Sequence, residues 1–275
     1  MKFPSFLFKA FLLVTTAIAA PLTSHRQARH EARRLAQAQG GVVTRQSRPP
    51  YQLGSTESLC LNASVHPQYS SNWAGAVLIG TGYHAVTAEF AVPSPHIPAG
   101  GSSNTLYCAS AWVGIDGDTC TSAILQTGID FCVLGSMTMH SAWYEWYPDY
   151  AHDFTGIKIA PGDVIRATVN ASSLTSGTAI VENLSNGGSA THTFPGGVGG
   201  NLCEYNAEWI VEDYELNGSL VPFVDFGTVT FVAAEAATGD SIVGPSGAIL
   251  IDISQKGQVL TSSSVGDNSV TVQHV

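Results

Sequence analysis

Short runs of β-forming residues recur from about residue 70 to the end of the chain, and Gly, Pro, Asn and Asp separate them. No apolar pattern with a helical period accompanies these runs, so long helices are not expected there. Roughly a dozen antiparallel strands within about 200 residues predict an all-β fold, an antiparallel two-sheet β-sandwich or jelly roll. The predicted strands are Ala76–Ile79, Ala85–Val92, Ala109–Ile115, Ser122–Phe131, Ser141–Tyr147, Val164–Val169, Thr178–Asn183, Glu208–Tyr214, Thr228–Val232, Ala248–Ile253, Val259–Ser262 and Ser269–Val272.

The N-terminus has the composition of an export signal. Lys2 and Lys9 precede an apolar run, Ala10–Ala20, that ends in small residues, which is typical of a secretory signal peptide. The run is too short for a stable membrane anchor. A buried N-terminal helix fits this pattern less well. We therefore predict that residues 1–20 are a signal peptide and that the protein is secreted into the extracellular space.

Residues 21–67 are predicted to be a basic propeptide, and residues 68–275 the mature domain. Eight of the eleven Lys and Arg residues lie before residue 50, whereas from Tyr69 onward 19 acidic residues face three basic ones. We expect the propeptide to dock on the acidic domain near neutral pH, as an intramolecular inhibitor or chaperone, and to leave on acidification. A leader that is simply trimmed is the alternative.

The charge of the domain also predicts its working conditions and limits its partners. Uncompensated negative charges oppose compactness near neutrality, but most carboxyl groups approach neutrality below about pH 4. Such a domain is suited to acid. The negative charge disfavours nucleic acid and anionic membrane surfaces as partners, so neither is expected. We expect a monomer that acts on other molecules.

Strand alternation places polar and aromatic side chains together, since residues two apart share a face. Four predicted strands each have one such face, formed by Trp112 with Asp116, Gln126 with Asp130, Trp143 with Glu145 and Tyr147, and Glu208 with Glu212. If these faces lie on one side of one sheet, they line a polar groove with aromatic walls. An ordinary solvated face is the alternative, and it suits Glu212 best.

Two segments carry the most specific signal. The first runs from Ser110 to Asp130, Ser-Ala-Trp-Val-Gly-Ile-Asp-Gly-Asp-Thr-Cys-Thr-Ser-Ala-Ile-Leu-Gln-Thr-Gly-Ile-Asp, and holds Gln126 among apolar neighbours. The second, Asn-Ala-Glu-Trp-Ile-Val-Glu-Asp at 206–213, contains Glu208. With both motifs in this order, and a match that continues from about Tyr69 to the C-terminus, the chain resembles the glutamic peptidases, or eqolisins, a family of fungal acid proteases.

The resemblance implies an acid-active, pepstatin-insensitive endopeptidase that needs no metal or cofactor and takes protein or peptide substrates. Glu208 would be the general base and acid, while Gln126 would orient water and stabilise the oxyanion. An amide does not titrate, so this pair suits acid better than a histidine does. The candidates for substrate binding and for the hydrogen bonds around the pair are Trp73, Trp112, Asp116, Asp130, Trp143 and Glu145. The family fold is a concanavalin-like sandwich.

Cysteine usage agrees with export. Five cysteines occur, and Cys60 would leave with the propeptide. The other four allow three pairings on sequence alone. The resemblance implies the disulfides Cys120–Cys203 and Cys108–Cys132. A zinc site is the competing interpretation, but no close Cys-x-x-Cys pair is present.

Other functions remain as alternatives. A jelly-roll carbohydrate-binding protein would use the tryptophans to stack on sugars. A glycosidase would use two of Glu145, Glu208 and Asp130, since paired carboxylates do that work too. The sequence lacks the paired Asp-Thr/Ser-Gly loops of pepsin-like proteases, the His-Glu-x-x-His of common zinc peptidases and a Gly-x-Ser-x-Gly elbow.

Overall fold

The computed structural model describes residues 44–50 and 67–275. The predicted signal peptide, Cys60 and most of the predicted propeptide lie outside these residues. Within them the strands are β1 (Arg45–Gln46), β2 (Gln68–Ser70), β3 (Trp73–Ile79), β4 (Tyr83–Ala91), β5 (Tyr107–Ile115), β6 (Ile124–Leu134), β7 (Met137–Tyr147), β8 (His152–Asp153), β9 (Val164–Ser173), β10 (Ser176–Asn183), β11 (Gly188–Phe194), β12 (Asn206–Glu212), β13 (Glu215–Leu216), β14 (Ser219–Leu220), β15 (Thr228–Thr238), β16 (Ser241–Val243), β17 (Ile249–Gln255), β18 (Gln258–Val259), β19 (Thr261–Val265) and β20 (Val270–His274).

Most strands belong to two large sheets. The groove sheet has the order β18-β17-β3-β12-β5-β6-β7-β8, with β2 pairing in parallel to β17. The outer sheet has the order β11-β10-β9-β4-β15-β20-β19, with β16 on β15. A small third sheet joins β1 to the β13–β14 hairpin. The prediction of an all-β fold with two antiparallel sheets is confirmed.

The two large sheets pack face to face over one apolar core. In β10 the buried residues Gly177, Ala179 and Val181 alternate with half-buried ones, because one face contacts the core and the other faces water. The central strands of the groove sheet are buried on both faces. Their second face therefore contacts something other than the core, and it carries the residues of the predicted groove.

Each of the twelve predicted strands overlaps an observed one, whereas the strands of two or three residues β1, β2, β8, β13, β14 and β16 were not predicted. Val259–Ser262 spans the break at Leu260 between β18 and β19. The edge strand β11, Gly188–Phe194, was not predicted, because its Ser, Thr and His residues are half exposed and give no apolar alternation. Pairing with β10 holds it in place instead.

Both disulfides implied by the family resemblance are present. Cys108–Cys132 links directly paired positions of β5 and β6, and Cys120–Cys203 joins the loop after β5 to the segment before β12. The second bond ties together the approaches to the strands of Gln126 and Glu208. In the part of the chain described, no helix is long and apolar enough to cross a membrane.

Candidate active site

Strand register places Glu208 and Gln126 in one row on the same face of the groove sheet. Glu208 on β12 lies opposite Gly114 on β5, and Gly114 lies opposite Gln126 on β6. Glu145 on β7 continues the row beyond Gln126. Because directly paired residues point to the same side of a sheet, the three side chains share one face. We call these four residues the dyad row.

Gly114 contributes no side chain to the row between Glu208 and Gln126. A Cβ atom at this position would lie 3.2 Å from a Glu208 carboxylate oxygen and 2.8 Å from the Trp112 ring. The strands on either side of β5 are about 9.6 Å apart, twice the usual spacing. With no side chain on Gly114, the Trp112 ring and the Glu208 carboxylate pack closely over this position, between the strands of Glu208 and Gln126.

Gln126 and Glu208 are fully buried, yet among the described residues neither side chain makes a hydrogen bond of standard geometry. Burial, with the nearby charges of Asp116 and Asp118, raises the pKa of Glu208 well above its usual range, and the backbone N–H of Asp118 opposes this effect. Buried polar groups without partners are rare in proteins, and a catalytic role is one reason for their retention. These two side chains are therefore the candidates for the chemistry.

Asp116 supports the strand of Glu208 from its end. Its carboxylate accepts hydrogen bonds from the backbone N–H groups of residues 203–206, at 2.6 to 3.1 Å. Alternation had placed it beside Trp112 on the groove face, but its φ of 66° turns the chain after β5 instead. Together with the disulfide Cys120–Cys203, it fixes where β12 begins.

Three tryptophans form an apolar floor next to the dyad row. Trp112 and Trp143 lie one row along the sheet, and Trp73 packs edge-on against Trp112 with ring centroids 4.9 Å apart. The Trp112 Nε1–H donates to Glu212 at 2.9 Å, and the Trp143 Nε1–H donates to Ser110 at 3.0 Å. All three rings are fully buried, and the N–H groups of Trp112 and Trp143 anchor these two rings to the sheet.

Three buried carboxylates, Asp130, Glu145 and Glu212, surround the guanidinium of Arg45; we call them the acidic cluster. Arg45 donates from Nε to Asp130 Oδ2 and from Nη2 to Asp130 Oδ1, each at 2.9 Å, and from Nη1 to Glu145 at 3.2 Å. Burial raises the pKa of Glu212 to about 7 and the pKa of Glu145 well above its usual range. The charge of Arg45 lowers both pKa values and so offsets part of this effect.

Residues 44–50, part of the predicted propeptide, cross the groove face over these rows. The segment pairs through β1 with β13. Further backbone hydrogen bonds hold it, among them Ala151 N–H to the Arg45 carbonyl oxygen at 3.0 Å, Ser47 N–H to Glu145 at 3.2 Å, and Arg48 N–H to Glu212 at 3.2 Å. The segment thus contacts Glu145 on β7, Glu212 on β12 and the ring of Trp143.

Three groups of this site, Arg45, Gly114 and Tyr214, were not among the residues predicted from the sequence. The solvated-face alternative is wrong for Glu212, which is buried and accepts hydrogen bonds. Strand alternation had already placed it on the groove face with Glu208. For Arg45 the sequence offers no signal beyond a basic leader.

Comparison with known proteins decides the family. A sequence model of the Peptidase A4 family matches residues 71–274. This chain belongs to that family, the eqolisins. It is 55% identical to aspergillopepsin-2 of Aspergillus niger over 290 aligned positions, which cover 100% of both chains.

Two crystal structures of Peptidase A4 proteins are similar to this chain. Aspergilloglutamic peptidase from Aspergillus niger matches with a TM-score of 0.61 and 63% identity, over 62% of this chain and 99% of that one. Scytalido-glutamic peptidase with a transition state analog inhibitor matches with a TM-score of 0.68 and 40% identity, over 74% and 98%. The protein is accordingly a glutamic peptidase, a peptide-bond hydrolase.

One group of possible metal ligands occurs within the described residues of this peptidase. Asp116, Cys120 and Cys203 have ligand atoms within 4.8 Å of one another. Both sulfur atoms are bonded to each other, and the Asp116 carboxylate accepts four backbone hydrogen bonds. A disulfide offers no thiolate, so this donor set does not fit a metal ion.

Proposed function

We propose that this glutamic peptidase is a secreted, monomeric endopeptidase that cleaves proteins in acid through Glu208 and Gln126. The observation that carries the proposal is their placement in one row, across a glycine, with buried side-chain polar atoms that make no hydrogen bond of standard geometry to a described residue. Two polar groups held in this way can both act on a water or carbonyl oxygen between them.

In the proposed mechanism Glu208 acts first as a base and then as an acid. Its carboxylate takes a proton from the water above Gly114, and the resulting acid returns that proton to the leaving nitrogen. In the covered groove, burial keeps the pKa of Glu208 well above its usual range, which favours its protonated form there. Entry of water relieves this burial, and the pKa then moves toward the acid range, where both forms are populated.

Gln126 would orient the attacking water through its amide oxygen and stabilise the oxyanion through its amide N–H. Such a preorganised donor acts where negative charge develops in the transition state. A side-chain amide does not titrate, so the donor persists in strong acid, where histidine is a cation. The fully buried position of Gln126 on β6 fixes its direction.

The acidic composition of the domain and its two disulfides support a function in an acidic extracellular medium. From Tyr69 onward the chain has 19 acidic and three basic residues, so little positive charge accumulates when the carboxyl groups are protonated. Two disulfides indicate an oxidising compartment. Residues 1–20 have the composition of an export signal.

A digestion assay tests this function. The protein is recovered from the culture medium of an expressing host, acidified to about pH 3 and mixed with an unfolded protein substrate. We expect cleavage that pepstatin does not inhibit, by a species that elutes as a monomer in size-exclusion chromatography. Cleavage confined to neutral pH, or inhibition by pepstatin, would contradict the proposed mechanism.

We also propose that the leader inhibits the peptidase near neutral pH. Residues 44–50 contact Glu145, which belongs to the dyad row, and occupy backbone positions that a substrate in the groove would need. Arg45 forms a buried pair with Asp130, and such a pair holds only while the carboxylate is charged. Acid protonates the acidic cluster and so weakens the hold on the leader.

An Arg45→Ala variant of the full chain tests the inhibitory role. Loss of a buried ion pair should loosen the segment, so we expect processing and activity to begin at a pH about one unit higher than in the wild type. Activity is followed with a fluorogenic protein substrate across a pH series. Arg166→Gln, which removes a half-exposed arginine from the outer sheet, is the control. An unchanged onset in Arg45→Ala would show that the leader is only trimmed.

A further inference from the structure

The guanidinium of Arg45 fills a pocket whose walls belong almost entirely to the peptidase domain. Asp130 and Glu145 accept its hydrogen bonds, and its central carbon lies 3.8 Å from the ring centroid of Trp143 and 4.5 Å from that of Tyr214. The leader contributes the bound guanidinium group and one hydroxyl group, Ser47 Oγ, which accepts a hydrogen bond from Arg45 Nη1 at 3.2 Å. Removal of the leader would therefore leave the walls of the pocket in the domain.

The geometry of this pocket is specific for a guanidinium group. Nε and Nη2 bind the two oxygens of Asp130 in a side-by-side pair, a match to a planar fork that an ammonium group cannot make. The planar group also lies over two aromatic rings, where arginine is more common than lysine. Both features select the shape of the cation as well as its charge.

No basic residue of the domain replaces Arg45 in the pocket. Arg166 pairs with Glu89 and Glu182 on the outer sheet, while Lys158 and Lys256 lie exposed in turns. These three are the only Lys and Arg residues from Tyr69 onward. A cation for the emptied pocket has to come from another molecule.

The pocket also adjoins the dyad row. Glu145, which binds Nη1 of Arg45, lies directly opposite Gln126 in the register of β6 and β7. Adjacent strands are about 4.8 Å apart, so a chain that reaches Gln126 can place a nearby long side chain in the pocket.

We propose that the pocket formed by Asp130, Glu145, Trp143 and Tyr214 is a substrate subsite for arginine, which the leader occupies with its own Arg45. The peptidase then prefers substrates with an arginine near the scissile bond, and prefers arginine to lysine there. As a statement about substrates, this rests on the proposed function. The pocket itself can be tested without any catalysis.

The first test is chemical rescue of the Arg45→Ala full chain. N-ethylguanidinium, n-propylammonium and the neutral N-ethylurea are compared at equal concentration, near neutral pH, by thermal unfolding. We expect the guanidinium compound to raise the Tm of the variant, the ammonium compound to raise it less, and the urea to have no effect. The wild type, whose pocket is full, should not respond. Equal responses to the three compounds, or equal responses of variant and wild type, would overturn the proposal.

The second test uses the processed enzyme and matched peptides. A cleavable peptide is made with arginine, lysine or citrulline at each position on either side of the scissile bond in turn. At the highest pH that still supports cleavage, we expect one position at which kcat/KM for arginine exceeds that for citrulline by about tenfold or more. Lysine should lie between them.

Variants link this preference to the pocket. Asp130→Asn should reduce the arginine-to-citrulline ratio at that position, whereas Glu182→Gln, on the outer sheet, should leave it unchanged. Cleavage with no arginine preference at any position would overturn the subsite. Failure to cleave any peptide would contradict the proposed function instead. The rescue experiment would then show, without catalysis, whether the pocket binds guanidinium selectively.

Discussion

Gln126→Ala and Glu208→Gln are each expected to reduce kcat/KM by about a hundredfold to ten-thousandfold without loss of the fold. The loss for Gln126→Ala follows from removal of an oxyanion donor, and that for Glu208→Gln from removal of the only proton acceptor in the dyad. The two residues flank Gly114 in the dyad row, and neither substitution leaves another group of that row with the same role. The measurement is kcat/KM on a fluorogenic peptide in acid.

The stability of these variants separates catalysis from structure. Neither side chain makes a hydrogen bond of standard geometry to a described residue, so its removal breaks no bond that holds the sheet together. Glu208→Gln should even be more stable near neutral pH, because the raised pKa of Glu208 means that ionisation of the buried carboxyl is unfavourable. Thermal unfolding measures this directly.

Two exposed positions provide matched controls. Gln258→Ala, on β18, and Glu235→Gln, on β15, make the same chemical changes away from the groove and should retain full activity. Wild-type activity in either dyad variant would show that the pair is misassigned. Equal losses in the controls would point to a general effect of substitution.

The groove face was predictable because strand alternation has a fixed period and the strands were found. Once β5, β6, β7 and β12 are correctly bounded, residues two apart must share a face, and the register shows that their polar faces coincide. The identity of Gln126 and Glu208 as a pair came from the two motifs. Nothing in the composition of either strand singles out one amide or one carboxyl.

Other features of the site depend on contacts that the sequence does not encode locally. Arg45 lies 85 residues before Asp130, and only the folded chain brings them together. Asp116 has a positive φ that removes it from the alternation of β5, and its four backbone partners are almost 90 residues away. A glycine within a strand, such as Gly114, indicates a close approach without indicating to what. Only the strand register shows that Gly114 lies between Glu208 and Gln126.

The domain is expected to lose stability as the pH rises from about 4 to 8. Burial raises the pKa of Glu212 to about 7 and the pKa of Asp213 to about 8. As the pH rises, the unfolded chain releases these protons first, so it binds fewer protons than the folded state and the free energy of unfolding falls. For Glu212 alone, with residues 44–50 in place, the loss is on the order of 3 kcal/mol, since one pKa unit corresponds to about 1.4 kcal/mol.

The leader should oppose this loss. The positive charge of Arg45 lowers the pKa values of Asp130, Glu145 and Glu212, and its removal leaves the acidic cluster without a cation. The full chain should therefore have a higher Tm than the processed enzyme near pH 7, and the difference should shrink toward about pH 3, where the cluster is neutral. Calorimetry of both forms across this range measures the effect.

A conservative variant identifies the carboxyl groups responsible. Asp213→Asn keeps an acceptor for the Gln255 side chain, which donates to Asp213 at 2.6 Å, but removes the ionisation. The processed variant should lose less stability between about pH 5 and 8 than the processed wild type. Glu235→Gln, whose carboxyl is exposed, should follow the wild-type curve. A processed enzyme with the same Tm in acid and at neutral pH would mean that the buried carboxyl groups ionise without cost, and the acid requirement would then lie in the chemistry of Glu208 alone.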